Sequence, residues 1–202
     1  MKLLISIYFF ILAIIQMGLF FGIYHYYRSQ NLLRPSLYWM ASLLVSVVGL
    51  IIFGAGIISI QNIANPQFNF TIANTFFYTA ALLQGLFCQS LNQAISKRVK
   101  IIAIISVFIF IATFESMRLY GTFESRTAVM ATIASIFYCW QIYELSKKRK
   151  SAPSKQLLYM QLANLAEIFF AIGRFLILIT SAFTIREVDQ IPQMLILFTI
   201  AQ

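Results

Sequence analysis

Apolar residues in this chain run in long blocks, and the charges fall in the gaps between them. Seven blocks can be drawn, at about Leu3–Tyr27, Leu37–Gln61, Thr71–Ala94, Ile101–Met117, Arg126–Leu145, Gln156–Phe183 and Gln193–Gln202. A membrane-spanning helix needs about 20 mostly apolar residues. The first six blocks are long enough, the fourth only just, and the seventh stops after ten residues. The pattern predicts an all-α integral membrane protein, with residues 1–202 forming one transmembrane domain. Six full spans and a truncated seventh would pack as an antiparallel bundle, because gaps this short hold consecutive helices side by side.

The gaps are unequal in charge. Arg28 and Arg34 follow the first block, Lys97, Arg98 and Lys100 the third, and Lys147, Lys148, Arg149, Lys150 and Lys155 the fifth. These alternate gaps hold ten of the fifteen basic residues. The opposite side carries Lys2, Arg118, Arg126 and Arg186 beside Glu115, Glu124, Glu187 and Asp189, and the gap Asn62–Phe70 is uncharged. Basic loops resist translocation, so the N-terminus is expected outside and the end of a seventh span in the cytoplasm. Lys2 argues the other way and is outvoted. The net charge of +9 has the same origin. Juxtamembrane basic residues are attracted to anionic headgroups by about 1 kcal/mol each, and no aromatic-interleaved basic face suggests nucleic acid. With 60% hydrophobic and 10% charged residues, the chain lies far from the roughly 25% charged content of a soluble domain.

Several chemistries drop out. Met1–Gly22 is too long for a signal-peptide apolar core and lacks a small-x-small cleavage site. Cys88 and Cys139 form no CxxC or Cys–His cluster, so a structural zinc site is excluded, and both read as buried thiols inside helices. His25, the only histidine, sits in Tyr24-His25-Tyr26-Tyr27 and reads as an interfacial anchor. One histidine cannot supply a bis-His haem or catalytic zinc site, and Gln193–Gln202 has no lysine for retinal. No cofactor is expected. Asn69-Phe70-Thr71 matches the glycosylation sequon but lies against a helix start. No proline falls inside a block, which counts against transporter sites built from broken helices, and no internal repeat is evident. Gly49, Gly54 and Gly56 permit close approach of the second helix, and Gly18 and Gly22 form a GxxxG pair able to support a homodimer.

Polar residues within the bilayer are costly, so function is sought there. The third block carries Asn74, Gln84, Gln89, Asn92 and Gln93, and the sixth carries Gln161, Asn164, Glu167 and Arg174. At about 100° per residue Glu167 and Arg174 share a face, about 10.5 Å apart along the axis, too far for a comfortable ion pair. They and their neighbours read either as interhelical glue, with Gln161 and Asn164 bridging helices, or as the lining of a ligand cavity. Asn74, Gln84, Asn164, Glu167 and Arg174 are the candidate small-molecule ligand-binding residues, and no catalytic cluster or metal motif accompanies them.

One stretch is more specific. Arg34, Tyr38-Trp39, Pro66, Ile72-Ala73-Asn74-Thr75-Phe76-Phe77-Tyr78, Leu83-Gln84-Gly85-Leu86 and Lys97-Arg98, followed by Ser125-Arg126 and Gly173-Arg174, resemble the N-terminal membrane module of bacterial GGDEF diguanylate cyclases and related sensor histidine kinases. The resemblance implies a sensor or input module in a bacterial inner membrane. It would relay a small-molecule or membrane-state signal to a cytoplasmic domain that these residues do not include. The alternative is a small multi-span transporter, which proteoliposome uptake would separate from a sensor.

Overall fold

The computed structural model describes residues 2–29, 36–60 and 66–180, with residues 193, 195 and 196. Those residues form six helices: α1 Lys2–Ser29, α2 Leu37–Ser59, α3 Asn69–Ser90, α4 Lys97–Tyr120, α5 Phe123–Ser151 and α6 Lys155–Thr180. Each is long and apolar enough to cross a membrane. A truncated seventh span falls largely outside the described residues.

The helix ends depart from the apolar blocks for local reasons. Helix α4 starts four residues earlier than its block because Ser96 caps it, accepting a hydrogen bond from the Val99 amide at 3.3 Å. Helix α5 starts at Phe123 because Thr122 accepts from the Ser125 amide at 3.2 Å. Such caps satisfy amides that the first helical turn leaves without partners, and hydropathy does not register them. At its other end α5 runs on to Ser151, so Lys147–Lys150 stand on helix rather than in a loop. Helix α3 ends at Ser90, which leaves Asn92 and Gln93 in the turn that follows.

Helix α3 occupies the middle of the bundle. It packs extensively on α2 and also meets α4 and α5, while α1 leans on α2 and α6 on α5. Two cores result. Ile5, Phe9, Val47, Leu50 and Phe70 join α1, α2 and α3, with Phe53 ringed by Phe9 at 4.9 Å and Phe70 at 5.2 Å. Leu82, Leu86, Ala103 and Phe137 join α3, α4 and α5. There Tyr78 stacks on Phe110 at 4.4 Å and meets Phe137 edge-on at 5.2 Å.

Glycine sets the spacing. A Cβ on Gly54 would meet Phe9 Cβ at 3.3 Å, and one on Gly49 would meet the Phe77 ring at 3.0 Å. The expected close face of α2 is therefore divided, with Gly54 serving α1 and Gly49 and Gly56 serving α3. Gly18 and Gly22 face open space, so the GxxxG pair takes no part in packing within the bundle. Of the two thiols expected to be buried, Cys88 is buried and Cys139 is exposed on α5.

Gly85→Ala is expected to destabilise the protein by about 1–3 kcal/mol, because the new methyl would press into the rigid Trp140 ring. Gly18→Ala, in open space, is expected to stay within about 0.5 kcal/mol. Reversible unfolding in mixed micelles measures both, and equal effects would contradict the packing described.

Candidate functional site

Antiparallel order brings the starts of α1, α3 and α5 to the same end of the bundle as the ends of α2, α4 and α6. A cavity of about 210 Å³ opens there. Ile5 and Phe9 of α1, one turn apart, form one wall, and Phe53 and Ile57 of α2, with Ile60 just past its end, form the next. Phe70 and Asn74 of α3, Phe114 of α4 and Arg174 of α6 complete the ring. Helix α5 contributes Phe123, Arg126, Thr127 and Met130, spaced i, i+3, i+4, i+7 as one helical face. Leu195 and Ile196, beyond α6, also line it. Leu195 is buried, and Ile196 packs on the α1–α2 core.

The lining is apolar apart from a few groups, chiefly two guanidiniums and one amide. Asn74 Nδ2 donates to the Phe70 carbonyl at 2.7 Å, a bond within its own helix. Arg126 is only 6% exposed, and its Nη1 donates to the Gly121 carbonyl at 2.8 Å. It thereby meets a backbone carbonyl just past the end of α4, where a cation is favoured. Arg174 is held differently. Its Nε is buried without a hydrogen-bond partner.

Beside the cavity a polar latch joins α3, α4 and the segment before α3. Thr71 Oγ1 donates to Glu115 Oε2 at 2.6 Å, and Arg118 grips both oxygens of the same carboxylate, through Nε at 2.9 Å and through Nη2. Arg118 Nη1 also donates to the Pro66 carbonyl at 2.8 Å. A bidentate guanidinium–carboxylate pair of this kind is among the stronger polar contacts a protein makes. At the same end Lys2 Nζ donates to the Ile60 carbonyl at 2.7 Å, which accounts for a basic residue on the side opposite the basic loops.

At the far end Asn92 Nδ2 donates both to the Glu144 carbonyl, at 2.8 Å, and to its Oε2, at 2.7 Å, tying the turn after α3 to α5. Gln161 donates to Ser146 Oγ at 2.7 Å and accepts from Arg149 at 3.0 Å, tying α6 to α5. Gln161 is thus a bridge between helices. The side chain of Asn164 makes no hydrogen bond among the described residues, and neither does that of Gln84.

Of the five sequence candidates, Asn74 and Arg174 line the cavity and Gln84, Asn164 and Glu167 do not. Glu167 and Arg174 lie within electrostatic reach of each other but form no direct ion pair. Glu167 Oε2, like Arg174 Nε, is buried without a partner. The residue that the candidate set lacks is Arg126. Its charge read as marking the start of the fifth block, on the side opposite the basic loops, yet it stands between Phe123 and Met130 on an apolar helical face, and that register was the available signal. Among the described residues no three His, Cys, Asp or Glu stand together as a metal site.

No family model, curated protein or solved structure matches the chain. The likeness to cyclase and kinase input modules therefore rests on the quoted motifs alone.

Asn92→Leu would leave the buried Glu144 carboxylate without its amide partner, and a loss of about 1–3 kcal/mol is expected. Asn164→Leu should change stability by less than about 0.6 kcal/mol, the average of an interhelical hydrogen bond in a membrane. Unfolding of the two variants in parallel checks the contrast.

Proposed function

We propose that this multi-pass membrane protein is a sensor or input module, in a bacterial inner membrane with its N-terminus outside. A small ligand enters the cavity at the outer end, and a helix displacement passes to a cytoplasmic signalling domain beyond these 202 residues. The observation that carries this reading is the cavity lining. Every helix from α1 to α6 contributes to it, and so do Leu195 and Ile196 beyond α6. A bound molecule therefore touches all the elements whose relative positions define the bundle, including chain that leads onward. Binding shifts a bundle by as much as the ligand favours one arrangement over another, and a site shared by every helix offers the most contacts through which to do so.

Transport fits less well. It would require a polar route to the opposite end, and the space between α3, α4 and α5 there is filled by Leu82, Leu86 and Phe137.

Two measurements test the proposal. A cysteine replacing exposed Tyr120 should react with a membrane-impermeant maleimide in intact cells, and one replacing Lys148 only after the membrane is breached; the reverse order would invert the orientation. In a Cys88→Ser, Cys139→Ser background, nitroxides at positions 97 and 148 should change spacing by about 1–2 Å, the usual scale of helix shifts in signalling, when Met130→Trp fills the cavity. An unchanged spacing would contradict the relay, and solute uptake by proteoliposomes would replace it with transport.

A further inference from the structure

The chemistry of the cavity narrows what it holds. Its walls are chiefly Ile, Phe, Leu and Met side chains, against which hydrocarbon is favoured and a strongly hydrated solute is not. Set into those walls are two guanidiniums, Arg126 and Arg174. Like charges lining one low-dielectric space repel each other, so a cation would meet an unfavourable potential, an anion a favourable one, and a neutral polar molecule much less of either.

The acids nearby bear unequally on the two guanidiniums. Glu115 is gripped by Arg118 and Thr71. Glu124, in the first turn of α5, lies within electrostatic reach of Arg126 and offsets part of its charge, so Arg174 is the guanidinium that matters most for a ligand. Glu167 is in electrostatic reach of Arg174 but outside the cavity lining, and it makes no direct ion pair. The Nε of Arg174 is buried without an acceptor, so this cavity-lining guanidinium is not saturated by partners of its own.

Resting on the proposed sensor reading, we infer that the cavity binds a small amphipathic carboxylate, its acid group on Arg174 with Arg126 supplying further positive charge, and its apolar body among Phe9, Phe53, Phe70 and Phe114. A carboxylate presents two oxygens in a plane, which matches the donor fork of a guanidinium. The size follows from volume. An apolar cavity of about 150 Å³ accepts benzene; scaled to 210 Å³, the part of the ligand inside it has about eight non-hydrogen atoms. The cavity lies at one end of the bundle, so the acid group reaches the depth of Arg174 without crossing the apolar interior.

The test uses the full chain in nanodiscs of a zwitterionic lipid, with radiolabelled octanoate, octanol, octylamine and octyl phosphate as probes. Saturable octanoate binding, with octanol and octylamine at least about tenfold weaker, is the expected result. Arg174→Gln should weaken octanoate about ten- to hundredfold and leave octanol unchanged. The probe series on the unaltered protein decides the matter even if that variant fails to fold. Equal binding of octanoate and octanol, or no saturable binding of either, would overturn the inference, and preference for octyl phosphate would overturn the carboxylate in favour of a phosphate head group. The nitroxide pair at 97 and 148 is read in the same samples. Octanoate binding without a change in spacing would count against the sensor and not the ligand, whereas a spacing that responds to cavity filling without octanoate binding would do the opposite.

Discussion

The architecture depends on how closely α2 approaches its two neighbours. In a bilayer, apolar surface gains little by leaving lipid for protein, so helices associate through close packing and through polar bonds with no better partner. Helix α2 uses both. Gly54 admits the backbone of α1, and Ser6 Oγ donates to the Gly54 carbonyl at 2.6 Å across that contact. Gly49 and Gly56 admit Phe77, Phe70 and Asn69 of α3 on the other side. With α1 and α3 drawn in, Phe9, Phe53 and Phe70 meet, and those three rings form much of the apolar wall of the cavity.

The six spans were legible because their signal, the length and continuity of apolar sequence, is also what a bilayer demands of a helix. Their ends were less so. Ser96 and Thr122 extend α4 and α5 by capping, a property of single residues that window-averaged hydropathy removes. The division of labour on α2 was half legible: the small residues stood out, but which neighbour each would face depends on the rotation of the helix.

The candidate site was legible where polarity was out of place and illegible where polarity had an ordinary explanation. Asn74 and Arg174 stood out as polar groups within apolar blocks, and both reach the cavity. Glu167 stood out equally and does not, because it shares Arg174's face but stands two turns deeper along α6, about 10.5 Å further from the end where the cavity opens. Arg126 lies at a helix boundary, where a basic residue attracts no notice, and only the inward register of its neighbours marks it. Thr71, Glu115 and Arg118 escaped for a related reason: each is unremarkable alone, and their bonds join residues 44 positions apart in the chain.

Helix α5 is continuous from Arg126 at the cavity to Lys150 at the opposite end. Twenty-four residues separate the two, a rigid arm of about 36 Å. Tilting that arm by about 5° around the cavity would carry its basic tip some 3 Å sideways, by the same helix geometry. That tip bears Lys147, Lys148, Arg149 and Lys150, so a sub-ångström adjustment at one end of α5 would become a sideways movement of four positive charges at the other.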